Sequence, residues 1–450
     1  MRSSLLISGT RLCVMCLAVL SLTACGSDMW FGEKDDAPPL AGQRLSILDM
    51  QRKLEPDEIT QGSAVFSPAE ISVNDSWPQA GGYPHHAMQN LSFSTGSVKK
   101  IWSSDIGEGA STSYPLTAQP IVAGGRVFTL DSQSQLSAFS AKDGKNLWRI
   151  NTLKNEDDDP VISGGISYAG DKIYVTSGYN EMLAVNPADG KILWRAKLSA
   201  PSRAAPTILD NRVFVTLLSN AVMAFKADTG ELLWEYAGLG EATGLVGAAA
   251  PAAEGNIVVP AFTSGELYAL RVENGASAWS DNLSNALRLG GLSGVSDIRA
   301  MPVIHNNKVF AISYGGKMVA IDIISGQRLW ARDIGGSETP WLSGNRLFVI
   351  SSYNEVVSLD VDTGAVMWVS QLARFEDKAE KKGAIFWTGP LMASGRLMAF
   401  SSDGRVAEIN PEDGALIKEW STGESVQIAP IIAGGVLYLV SRDGTLSAYR

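Results

Sequence analysis

Side chains able to do covalent or metal chemistry are few in this chain. Its 450 residues include three cysteines, Cys13, Cys16 and Cys25, and three histidines, His85, His86 and His305. His85 and His86 are adjacent, and neighbouring residues rarely aim at one metal ion. His305 abuts Asn306-Asn307 and reads as an exposed strand-end residue. There is no Cys-x-x-Cys-His haem motif and no serine nucleophile elbow. Aspartates are plentiful, but most sit in turns, where local backbone hydrogen bonds account for them. The expectation is therefore no catalytic residue, no metal and no cofactor.

One cysteine does stand where chemistry is expected. Arg2 and Arg11 carry positive charge, an apolar run follows over 12–20, and Leu22-Thr23-Ala24-Cys25 comes next. A charged start, an apolar core and small residues before a cut site read as a secretory signal over 1–24. The four residues ending in Cys25 resemble the lipobox of bacterial lipoproteins. That likeness implies cleavage before Cys25 and acylation of its thiol; the alternative is cleavage elsewhere, with Cys25 an ordinary residue. Cys13 and Cys16 leave with the signal, so the exported body has no cysteine for a disulfide or a nucleophile. No other segment is apolar over the ~18 residues that a membrane helix needs. In lipoproteins of this kind an Asp directly after the cysteine favours inner-membrane retention. Here Gly26 and Ser27 intervene before Asp28, which points to the outer membrane, periplasmic side.

The body that follows is packed rather than disordered, with 45% hydrophobic and 19% charged residues. The net charge of -10, without a Lys/Arg-rich stretch, argues against nucleic-acid binding, which needs a positive face. Residues 25–75, with Pro38-Pro39 and little periodicity, read as a lipidated cysteine and flexible tether, with a short helix expected over 43–54.

From residue 76 onward a repeat governs the chain. Seven segments share one pattern: Ala138 with Gly144 and Trp148, Ala184 with Gly190 and Trp194, Ala224 with Gly230 and Trp234, Ala269 with Gly275 and Trp279, Ala320 with Gly326 and Trp330, Ser358 with Gly364 and Trp368, and Glu408 with Gly414. The last has Lys418 in the tryptophan slot and Trp420 two places on. Each unit opens with a proline and an apolar run, then a tight turn such as Asp210-Asn211 or Gly434-Gly435 that tolerates positive φ. Four short antiparallel strands per unit make a propeller blade, and tryptophan fills the gap between blades. An eighth unit starts at Pro430 and stops at Arg450 without its last strand, while an orphan strand, Val98 to Trp102, precedes the first unit. The expected fold is all-β: an eight-bladed propeller of four-stranded blades over 76–450, closed by that N-terminal strand.

This motif resembles quinoprotein-type repeats, which occur in quinone-cofactor (PQQ) dehydrogenases and in the outer-membrane assembly factor BamB family. With the lipobox, the single propeller and the lack of other modules, the chain resembles the BamB family. The lead-in Trp77-Pro78-Gln79-Ala80-Gly81-Gly82 is similar to that of its alphaproteobacterial members. The resemblance implies a non-catalytic lipoprotein of the β-barrel assembly machinery that docks on the POTRA domains of BamA, with other machinery subunits and unfolded outer-membrane β-barrel proteins as further partners. It places docking on loops around the fourth and fifth repeats: Leu245, Val246 and Gly247 ahead of Pro251, and Asp297 and Arg299 ahead of Pro302. Leu245, Gly247 and Asp297 match the family pattern; Val246 and Arg299 depart from it. Leu245 is expected as apolar anchor, Asp297 as a charge-assisted hydrogen-bonding group, and Arg288 or Arg299 as counter-charge to an acidic POTRA edge. The alternative is a periplasmic PQQ-dependent dehydrogenase.

Other breaks in the repeat read as loops. The 281–300 stretch carries Leu283, Leu287, Leu289 and Leu292 outside the strand pattern, and apolar residues on a long loop need a partner or a fold-back. The charged 374–383 stretch reads as a solvated helical turn, and 155–160 as a solvated acidic loop.

Overall fold

The computed structural model describes residues 54–58, 65–154, 161–240, 245–284 and 297–450. The signal, Cys25, most of 43–54, the acidic loop at 155–160 and Arg288 lie outside the described residues.

Eight four-stranded antiparallel blades form, spanning 121–151, 166–197, 207–237, 252–282, 303–332, 341–371, 387–421 and 431–449 with 100–105. Each innermost strand follows a proline in six units, among them Pro206, Pro251 and Pro302. Proline sets φ for an extended start and needs no partner for an amide proton. The turn to the second strand takes two consecutive positive-φ residues, as at Asp210 (47°) and Asn211 (59°). That geometry matches the twist of a two-residue hairpin.

The repeat's glycine and tryptophan join neighbouring blades. Trp148 Nε1–H donates to Pro187 O at 3.0 Å, Trp234 to Val272 O at 3.1 Å, and Trp368 to Pro411 O at 3.0 Å, each acceptor on the next blade. The ring lies under the next blade's turn glycine. A Cβ on Gly190, Gly275 or Gly414 would come within 3 Å of that tryptophan. The pattern thus requires glycine twice over, for positive φ and for the close approach.

Ring closure accounts for the irregular seventh copy. Lys100–Asp105 is the outer strand of the eighth blade, pairing antiparallel with Thr445–Tyr449. Its Trp102 packs under Gly144 of the first blade and donates to Ala141 O at 3.3 Å. The strand runs slightly later than the orphan segment expected from sequence. The eighth blade has no turn glycine, because the chain breaks there. A tryptophan at position 418 would have no slot, and Lys418 stands there. Trp420 instead donates to Glu408 at 2.8 Å and packs on Tyr449.

The expected flexible tether is corrected over its described part. Asp57 N–H donates to Val366 O at 2.9 Å, and Asp57 pairs with Arg332 at 2.8 Å. Phe66 packs edge-on against Phe348, and Ile71–Ser72 runs parallel to Asn90–Leu91. Groups of the fifth and sixth blades and the lead-in strand hold these residues, which composition could not reveal.

The lead-in does more than precede the ring: it lines it. The channel-side edge of each innermost strand offers unpaired backbone groups, which need partners when buried. Residues 74–91 supply them to the blades in order. Asn74 Nδ2–H donates to Ile432 O at 2.6 Å, on the eighth blade. Trp77 exchanges backbone bonds with Val122 on the first, Tyr168 N–H donates to Pro78 O at 2.7 Å on the second, and Ile208 N–H to Gln79 Oε1 at 2.8 Å on the third. Ala253 and Ile304 N–H groups donate to Pro84 and His85 carbonyls, both at 2.8 Å, on the fourth and fifth. Trp341 Nε1–H donates to Gln89 O at 2.6 Å on the sixth, and Leu91 pairs with Ala393 on the seventh. All three histidines meet this segment. His86, expected only as part of a lead-in, is 4% exposed with Nδ1 2.7 Å from Pro302 O, and half-buried His305 lies 3.4 Å from Gln89 Nε2.

Candidate functional site at the open mouth of the ring

Away from the lead-in, the channel opens between loops that enter the first and the fourth to eighth blades. The loop before Pro251 and the loop before Pro302 meet there through one bond: Leu245 N–H donates to Asp297 Oδ2 at 2.5 Å. Asp297 is 1% exposed. Burial pushes its carboxyl up, opposed by the Leu245 amide and the charge of Arg299. Its backbone is fixed as well, with Tyr314 N–H donating to Asp297 O at 2.9 Å.

Asp297, expected to offer a charge-assisted hydrogen bond to a partner, makes this bond within the chain. Its carboxylate faces inward and shapes the neighbouring loop. The outward surface there belongs to Val246, 50% exposed, which departs from the family pattern. Leu245 is half-buried beside it, and Gly247 is buried with φ of 94°, where a side chain is disfavoured. Arg299 also turns inward, its Nη1 3.8 Å from Glu338 Oε1. Glu338 Oε2 in turn accepts from Thr388 Oγ1 at 2.5 Å and Gly389 N at 3.4 Å. Four successive blades are thus tied together, through loops at Leu245, Asp297 and Glu338 and the strand residue Thr388. Leu283 folds back into the core between the fourth and fifth blades.

Sequence reasoning missed the far side of the mouth. The 374–383 stretch is a β-hairpin of Phe375–Asp377 and Lys382–Ala384, not a helical turn. The Arg374 guanidinium lies 5.8 Å from both the Tyr353 and Phe375 ring centres. Phe386 is 66% exposed. The only sequence signal was the break in repeat spacing.

The donor set for a quinone–calcium centre is not assembled. Among the described residues no group of three or more His, Cys, Asp or Glu could hold a metal ion. Among the described residues lining the channel the one carboxylate, Glu338, is already held by Arg299, Thr388 and Gly389. Trp77, Gly81 and His86 of the lead-in line the axis. These residues do not fit that cofactor.

A family model described as outer membrane protein assembly factor BamB matches residues 89–157 and 152–370. The chain belongs to the BamB family. The Yersinia pestis BamB protein is 25% identical over 369 residues, covering 78% of this chain and 89% of that one. A solved BamB from Moraxella catarrhalis superposes with a TM-score of 0.67 at 18% identity, covering 79% of this chain and 100% of that one. A second model, for the propeller domain of glucose/ethanol/alcohol dehydrogenases, matches residues 332–435 only. A quinohemoprotein alcohol dehydrogenase from Pseudomonas putida shares the fold at 12% identity and a TM-score of 0.65, covering 84% of this chain and 80% of that one. BamB membership rests on the longer match; the enzyme likeness is one of architecture, which many functions share.

Proposed function

We propose that this BamB-family chain is a non-catalytic scaffold for assembling β-barrel proteins into the outer membrane. In this reading it faces the periplasm, held by lipid on Cys25, and docks on BamA POTRA domains through the rim around Leu245, Val246 and Gly247. Other machinery subunits and unfolded β-barrel proteins are its further partners. The observation that carries the reading is the Leu245–Asp297 bond, which makes one surface from the two loops that the family pattern singles out. Asp297 and Arg299 act as positioning residues for that surface, and Val246 supplies exposed apolar area. Arg288 remains part of the proposal as counter-charge to an acidic POTRA edge. The dehydrogenase alternative is disfavoured by the lack of a fitting donor set.

Calorimetry of the full chain against isolated POTRA domains tests this. Leu245→Ala with Val246→Ala should weaken binding at least about tenfold, since a few buried apolar anchors usually dominate an interface. Asp297→Ala should weaken it by freeing the loop, and Asp297→Asn less so. Lys418→Ala, on an exposed outer strand, should bind like wild type. Unchanged binding by the Leu245/Val246 double variant would mean the docking face lies elsewhere.

A further inference from the structure

The channel forms a funnel. Lead-in residues Trp77, Gly81 and buried His86 line its inner end. Its walls are the residues just before the innermost strand of every blade. An axial cavity of about 160 Å³ opens into a mouth of about 700 Å³, and the two share Arg299, Glu338 and Gln427. A mouth of that size lies within the ~300–1,000 Å³ range of ligand clefts and cavities.

The charge of this lining is opposite to that of the molecule. The whole chain carries -10, yet among the described residues the charged ones lining the funnel are Arg203, Arg299 and Arg374 against Glu338. Arg299 is matched by Glu338 at 3.8 Å. Arg203 on the axial cavity and Arg374 at the mouth remain, and neither pairs with a carboxylate among the described residues. Arg374 is held beside the Tyr353 and Phe375 rings, so its planar fork loses little freedom when it meets a carboxylate. Clefts lined by one sign of charge focus the field and draw in the opposite sign. Exposed Val246 and Phe386 line the same mouth, and no charge complementarity accounts for them.

We propose that the funnel receives an extended acidic segment of a partner protein, bearing aromatic or large apolar residues beside its carboxylates. One carboxylate meets Arg374 at the mouth and another reaches Arg203 at the axis, while apolar side chains cover Phe386 and Val246. A polypeptide fits better than a small anion because the two cationic positions are separated along the funnel and the mouth is apolar at its edge. This site shares Val246 with the rim proposed for POTRA docking, but Arg203, Arg374 and Phe386 lie outside that rim, so their variants test it separately.

Fluorescence anisotropy with the full chain and a fluorescein-labelled peptide of alternating Asp and Phe tests the proposal. The peptide should bind, its Asn/Phe counterpart at least about tenfold more weakly, and raised ionic strength should weaken the acidic peptide alone. Arg374→Glu and Arg203→Gln should each reduce affinity at least about fivefold, and Arg203→Lys should restore much of it. Arg374 is exposed, so its variant should keep the wild-type melting temperature. Equal binding of both peptides, wild-type affinity in both arginine variants, or no binding of the acidic peptide would overturn the proposal.

Discussion

The indole of Trp330 lies against Gly364 on the next blade, and its Nε1–H donates to Val361 O at 3.0 Å. A Cβ on Gly364 would sit 2.5 Å from the ring, at φ of 68°. Gly364→Ala should therefore cost roughly 2–4 kcal/mol, combining left-handed backbone strain with overpacking. Gly434→Ala is the control. It has φ of 59° but no atom within 4 Å of its added Cβ, so it should cost only about 1–2 kcal/mol. Chemical denaturation of both variants checks the difference; equal losses would show that the tryptophan contact adds nothing.

Ring closure should appear as a graded response to truncation. Removing 26–53 should leave the melting temperature unchanged. Removing 26–75 also takes the Asp57–Arg332 pair and the Asn74 bond to Ile432, and should lower it by a few degrees. Removing everything through Asp105 strips the eighth blade of its outer strand and Gly144 of Trp102, and should leave an unfolded or aggregating chain. Thermal melts of the three lengths decide this, and a cooperative wild-type melt for the shortest would contradict it.

His86 gives the fold a pH dependence. Burial lowers its pKa from 6.5 to about 4, against a raising contribution from the Pro302 carbonyl and a further lowering one from His85. Between those values the unfolded chain binds the proton and the folded chain does not. The stabilisation is thus full above pH 6.5 and falls as pH drops towards about 4. The shift corresponds to roughly 2–4 kcal/mol. Asn tolerates the positive φ of 61° at this position, so His86→Asn is the test variant. Its stability should depend less on pH than wild type across this window. Parallel slopes for the two proteins would remove His86 as the cause.

Membrane attachment is expected to rest on Cys25. Cys25→Ser should abolish palmitate incorporation and release the protein from membranes, because stable anchoring takes more than one acyl chain and the described residues contain no helix able to cross a bilayer. Metabolic labelling followed by fractionation reads this directly. Label retained by the serine variant would place the lipid elsewhere.

The blades were legible in the sequence because everything that makes one is local. A proline start, a two-residue turn and the glycine-to-tryptophan spacing recur within one unit, so Asp210-Asn211 or Gly364 with Trp368 can be read without knowing the neighbours. Even Lys418 could be noticed as an exception, although its reason, the missing glycine slot beyond the seventh blade, needed the closed ring. That the 245 and 297 loops enter the fourth and fifth repeats was legible, but their meeting through an inward-turned Asp297 was not. Burial of a carboxylate depends on what surrounds it, and Asp and Asn in loops carry no mark of direction. The lead-in shows the division most plainly. Nothing in Trp77, Pro84 or Gln89 says that each serves a different blade, because their partners are backbone groups whose positions follow from the circumference of the finished ring. The charge of the funnel is likewise a tertiary property: Arg203 and Arg374 lie far apart in an acidic chain, and only the convergence of eight inner strands on one axis brings them to the same cavity.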